Sequence, residues 1–182
     1  MKTLGFLADG AEEIEAITII DVLRRGGVEV LGLSITDLKR YQGAHGIWSS
    51  ADCLIDDIKS LDDVEALVIP GGSDGVDNLK KDERVLDLIK EGHDSGKIIG
   101  AICAGPLVLN ELGLLEGRSY TCYPSLEEGI NGDYKEDRVV VDKNLITSQA
   151  PATAMEFALE LLGQIKGKQV KEEVKQGLIF DK

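Results

Sequence analysis

The run Ile98-Ile99-Gly100-Ala101-Ile102-Cys103-Ala104-Gly105-Pro106 carries an apolar strand straight into a cysteine and then into small residues. This is the layout of a nucleophile elbow, in which a strand delivers its reactive side chain to a sharp turn and a helix begins directly behind. Helix N-termini offer unpaired N–H groups and a partial positive charge, both of which favour a thiolate. The competing explanation for Cys103 is a small buried hydrophobe, the ordinary fate of a free cysteine. A second chemical segment is Ala8-Asp9-Gly10-Ala11-Glu12-Glu13-Ile14-Glu15. Its acids either complement a helix dipole or serve a site at the carboxyl edge of the sheet. Spacing alone does not choose among Glu12, Glu13 and Glu15. A third is Ile69-Pro70-Gly71-Gly72-Ser73, where paired glycines either make a tight turn or bring N–H groups close to a bound oxygen. No G-x-x-x-x-G-K-[ST] or G-x-G-x-x-G occurs, so neither phosphate-binding fingerprint is present.

The elements around these segments alternate between strand and helix, which predicts a mainly parallel sheet covered by helices. Strands are expected at 4–8, 28–33, 64–69 and 97–102. The run Val64–Ile69 is apolar but for Glu65 near its start, as in a strand buried on both faces. Helical spacing of Ile14, Ile17, Ile20 and Leu23 predicts a helix over 13–25, closed by Gly26-Gly27. A second helix is expected over 83–95. A third is expected over 151–165, with Thr153 and Glu156 spaced as a capping box. Arg138–Val141 and Leu145–Thr147 flank a hairpin turn, and a short hairpin is expected around Gly43–Gly46. No repeat or linker interrupts the chain, so one domain over residues 1–182 is expected.

The net charge of −13 argues against binding nucleic acid or an anionic membrane surface, since both would repel it. The N-terminus reads as a strand rather than a secretory leader, and the longest apolar stretch is too short to span a bilayer. Three widely spaced cysteines, Cys53, Cys103 and Cys122, do not form a disulfide framework. A reducing cytoplasmic setting is expected. With only His45 and His93 to accompany them, a His/Cys metal site is not expected.

Taken jointly, Gly10-Ala11-Glu12-Glu13-Ile14-Glu15, Asp21-Val22-Leu23-Arg24-Arg25-Gly26-Gly27, Ile69-Pro70-Gly71-Gly72, Ala101-Ile102-Cys103-Ala104-Gly105-Pro106 and Thr147-Ser148-Gln149 to Glu156-Phe157-Ala158 resemble the ThiJ/PfpI superfamily. They look most like its branch containing the Parkinson-disease-associated deglycase. The resemblance implies a flavodoxin-like α/β sandwich with helices on both faces, usually a homodimer, with no metal or organic cofactor. It places the family cysteine at Cys103, its partner glutamate at Glu15, and oxyanion-hole N–H groups at Gly72 and Ala104. It also implies a glyoxalase or deglycase acting on small α-oxoaldehydes or their adducts; redox sensing and chaperone-like activity are its alternatives. One departure concerns the position where several relatives carry histidine before proline. Here Thr121-Cys122-Tyr123-Pro124 places Tyr123 there, and a phenol of pKa near ~10 is a poor base at neutral pH. This weakens a cysteine peptidase reading and leaves His45 as the substitute base to test. Gly71, Tyr123, Pro124 and His45 are the further residues expected around the pocket.

Overall fold

In the computed structural model, which describes residues 1–180, the chain begins with β1 (Lys2–Leu7), α1 (Glu13–Arg25) and β2 (Glu29–Ser34). Short strands β3 (Arg40–Gln42), β4 (Trp48–Ser50) and β5 (Cys53–Leu54) precede β6 (Val64–Ile69), α2 (Ser73–Lys81), α3 (Glu83–Asp94), β7 (Ile98–Ile102) and α4 (Pro106–Glu111). Then come β8 (Ser119–Tyr120), β9 (Asp133–Tyr134), β10 (Val139–Asp142), β11 (Leu145–Ser148), α5 (Ala154–Lys166) and α6 (Lys168–Gly177). The expected domain extends to Lys182, of which Asp181 and Lys182 lie outside the described residues.

The central sheet has the order β10-β11-β7-β6-β1-β2-β5. All its pairs are parallel except β10 with β11, the expected hairpin at its edge. Alternation along β6 explains the two layers around it: side chains of successive strand residues face opposite ways. Leu67 and Ile69 pack with Val76 and Leu79 of α2, Val85 and Ile89 of α3 and Val108 of α4. Val68 instead joins Ile19, Val22 and Leu23 of α1 and Phe157, Leu161 and Leu162 of α5. The result is the flavodoxin-like sandwich. Register sets Ile69 beside Ala101 and Gly5 beside Val68, so β1, β6 and β7 end together at one edge.

The hairpin expected around Gly43–Gly46 is present, with β3 and β4 paired antiparallel. The third helix differs from expectation. Pro151–Thr153 forms a 3-10 turn and α5 starts only at Ala154. Thr153 makes no capping bond to α5: its hydroxyl meets Ser148 Oγ at 2.6 Å and engages the backbone of Ala150. Glu156 pairs with Arg138 instead. Two helices absent from the sequence expectation, α2 and α6, are polar. Their buried or half-buried apolar positions are only Val76 and Leu79 in one, and Val170 and Val174 in the other. That is too little to make a helical period legible.

Candidate active site

Cys103 lies just beyond β7 with φ 63°, a left-handed conformation that costs a non-glycine residue about 1–3 kcal/mol. Its neighbours hold it there. Its N–H donates to Ser148 O at 3.0 Å, and its carbonyl accepts from Tyr123 N at 2.9 Å. The sharp turn expected of a nucleophile elbow is therefore present. The helix behind it starts later than expected, at Pro106, and runs only to Glu111.

The turn after β6 brings the acid to the thiol. Gly71 N–H donates to Glu15 Oε2 at 2.7 Å. A Cβ on Gly71 would stand 2.6 Å from Cys103 Cβ, 2.7 Å from Glu15 Oε2 and 2.9 Å from Cys103 Sγ, so only glycine fits between them. Gly72 adopts φ 92° against the carbonyl of Gly10, where a Cβ would approach to 2.2 Å. With the chain so placed, the backbone N–H groups of Gly72 and Ala104 act on the Cys103 sulfur to favour its thiolate, and the nearby Glu15 carboxylate opposes it. These are the two backbone positions named from the resemblance, here directed at sulfur.

The three acids that sequence spacing left equivalent have separate places. Glu12 is the N-cap of α1, its Oε2 accepting from Glu15 N at 2.8 Å. Glu13 Oε1 accepts from His45 N at 2.7 Å, and its Oε2 lies 2.9 Å from His45 Nδ1. Glu15 alone is fully buried against the thiol. His45 is thus tied to Glu13, and its imidazole is raised by that carboxylate. Tyr123 touches the elbow through its backbone N–H, while the residue as a whole is 46% exposed; Pro124 is exposed as well. The carbonyl of Ser148, not singled out in the sequence, is a further clamp on the elbow.

Burial pushes Glu15 up to about 7, aided by the charge of Glu12 and opposed by the Gly71 N–H. Burial, followed by the charge on an ionised Glu15, pushes the Cys103 thiol up to about 12, against the two N–H groups that favour the thiolate. The environment therefore does not simply lower the thiol, as a helix terminus alone would. Close charges of the same sign cannot both form comfortably, so one proton remains between Glu15 and Cys103 through neutral pH.

Comparison with known proteins agrees with this geometry. The DJ-1/PfpI family profile matches residues 1–164. The chain is 37% identical over 181 residues to protein dj-1beta of Drosophila melanogaster, covering 98% of this chain and 96% of that protein. It is 38% identical over 163 residues to the glutathione-independent glyoxalase DJR-1.2 of Caenorhabditis elegans, covering 87% and 85% respectively. The crystal structure of the Drosophila DJ-1beta superposes with a TM-score of 0.94 over 98% of both chains, at 36% identity. A match spanning the sheet, the elbow and the acid-bearing helix leaves one assignment: this chain belongs to the DJ-1/PfpI family.

Proposed function

We propose that the chain is a cysteine-dependent glyoxalase or deglycase acting on small α-oxoaldehydes or their adducts, with Cys103 as nucleophile and Glu15 as proton shuttle. The observation that carries this reading is the placement of a half-buried thiol and a buried carboxyl on either side of Gly71. The relative named as a glutathione-independent glyoxalase supports the same substrate class.

Two N–H groups face the sulfur, whereas Glu15 accepts one from Gly71 and its Oε1 has no hydrogen-bond partner. In this reading the proton shared by the pair moves to Glu15, leaving the negative charge on sulfur, where the N–H groups of Gly72 and Ala104 favour it. The thiolate adds to the aldehyde carbon, and Glu15 gives its proton to the new oxyanion, forming a hemithioacetal. The resulting carboxylate removes the proton from that carbon and returns it to the neighbouring one, giving an α-hydroxy thioester. Water then cleaves the thioester to a hydroxy acid and releases the thiolate. No external oxidant enters, because oxidation at one carbon balances reduction at the next.

Peptide hydrolysis makes a further demand, an acid that protonates a leaving amine. Glu15 faces sulfur, Tyr123 turns outward and His45 is held by Glu13. The test is steady-state consumption of methylglyoxal without added thiol by wild type and Cys103→Ser, alongside casein and peptide amides. Turnover abolished by Cys103→Ser, with negligible peptide cleavage, is the expected result. Stoichiometric oxidation of Cys103 without turnover would favour a redox-responsive protein instead.

A further inference from the structure

Beside the thiol, but not sharing its side chains, the loop between β3 and β4 closes over the start of α1. One ligand atom from each of Glu12, Glu13 and His45 converges there, all within 4.8 Å of one another. The sequence argues against a site of histidine with cysteine; the fold instead assembles histidine with two carboxylates.

We propose that Glu12, Glu13 and His45 form a binding site for a divalent cation of the zinc class. The distances suit the ion. Zinc bonds to nitrogen and oxygen of about 2.0–2.2 Å in a tetrahedron set ligand atoms roughly 3.3 Å apart. His45 Nδ1 stands 2.9 Å from Glu13 Oε2 and 3.9 Å from Glu12 Oε1, bracketing that spacing. Imidazole with carboxylates is a donor set that zinc accepts, and three protein ligands leave the fourth position to water.

A second observation separates this set from a chance cluster of acids. Both glutamate side chains are only 8% exposed. Glu12 Oε1 accepts no hydrogen bond among the described residues, although the rest of its carboxylate is fixed. Glu12 Oε2 is held by Glu15 N, and Glu13 Oε1 by the N–H groups of His45 and Ile47. Each carboxylate thus has one oxygen anchored to backbone and the other turned toward the imidazole, the arrangement by which second contacts orient metal ligands. Gly43 folds directly over Glu13, where a Cβ would come 2.3 Å from the carboxylate, so the loop is shaped around this side chain. His45 is 71% exposed in the single chain.

The experiment is equilibrium dialysis of the full chain against Zn2+ alone, with metal content measured per chain. It uses wild type, Cys103→Ser, and His45→Ala and Glu12→Gln each in the Cys103→Ser background. Cys103→Ser is expected to bind one zinc per chain. His45→Ala and Glu12→Gln are expected to weaken this by more than about tenfold, since even residues behind a ligand are worth 10–100-fold. Circular dichroism melts confirm that each variant is folded, and the exposed His45 makes its truncation the safer of the two. Loss of binding in Cys103→Ser would place the ion on the thiol and overturn the proposal. So would zinc binding that His45→Ala leaves unchanged, which marks adsorption to the acidic surface, or no zinc bound at all.

Discussion

Glu15 can be read by both rate and stability. Its ordinary value is 4.5, and burial raises it to about 7 in the folded protein. Between those values the folded state keeps a proton that the unfolded chain has released. Its contribution is therefore fully present below the unfolded pKa and is lost as pH rises toward 7. Glu15→Gln removes that dependence while keeping an acceptor for Gly71 N–H. Its stability relative to wild type, from urea unfolding at pH 4, 6 and 8, should rise with pH by on the order of 3 kcal/mol at most. A difference that does not change with pH would show that Glu15 is not held protonated by burial. Turnover of α-oxoaldehydes by the same variant should fall by roughly 10²–10⁴-fold, the usual cost of losing general acid–base catalysis. The cysteines give a parallel test. Burial raises Cys53 and Cys122 as well, and nearby carboxylates raise both further. Only Cys103 combines partial exposure, two N–H donors and an acid able to take its proton. Iodoacetamide at about pH 6–7 should label it first by mass spectrometry; equal rates at all three would remove its distinction.

The segments between strand and helix place these side chains, and glycines in a turn and in a strand respond to change in opposite directions. Gly71→Ala sets a methyl group less than 3 Å from the Cys103 side chain and the Glu15 carboxylate. It should abolish turnover while the protein still folds, because the clash lies at the pocket rather than in the core. Wild-type rates in a folded Gly71→Ala protein would mean that thiol and carboxyl need not meet. Gly5, in the middle of β1, is the reverse case. A Cβ there meets nothing within 4 Å, and the gap it faces is bounded by Ala16, Ile19 and Ile20 of α1 and Val68 of β6. Gly5→Ala is expected to raise stability by about 0.4–1 kcal/mol, through fewer unfolded conformations and a filled void. A lower urea midpoint would show that the gap is needed.

On the scale of the whole molecule, apolar side chains left outside both cores point to self-association. Ile14 and Ile17 on α1 are about half exposed, as are Ile47 and Trp48 on the hairpin tied to α1 through Glu13. Clustered exposed hydrophobes of this kind mark interaction surfaces. Sedimentation should give a mass near twice the 19.6 kDa chain, and Ile17→Asp should shift it toward one chain. A wild-type protein that sediments as a single chain at micromolar concentration would rule out the dimer. No helix among the described residues is long and apolar enough to cross a membrane.

Periodicity carried most of this fold. Val64–Ile69 and Glu13–Arg25 have the expected boundaries, but α1 buries Ala16, Ile19, Val22 and Leu23 and leaves Ile14 and Ile17 of the expected stripe half exposed. The elbow at Cys103 was legible because an apolar strand ending in small residues has few other uses. The helices α2 and α6 were not, since a polar helix with two apolar contacts gains its stability from the surface it lands on. Nor was the cap of α5, because Thr153 is drawn away by Ser148, which only the return of β11 beside β7 places there. The site divides along the same line. Sequence nominated Cys103 and three neighbouring acids, and resemblance singled out Glu15. Only tertiary structure gave Glu12 to a helix cap, Glu13 to the hairpin and Glu15 to the thiol. Those roles depend on His45 reaching Glu13 across 32 positions of chain and Gly71 reaching Glu15 across 56, distances that local spacing cannot encode.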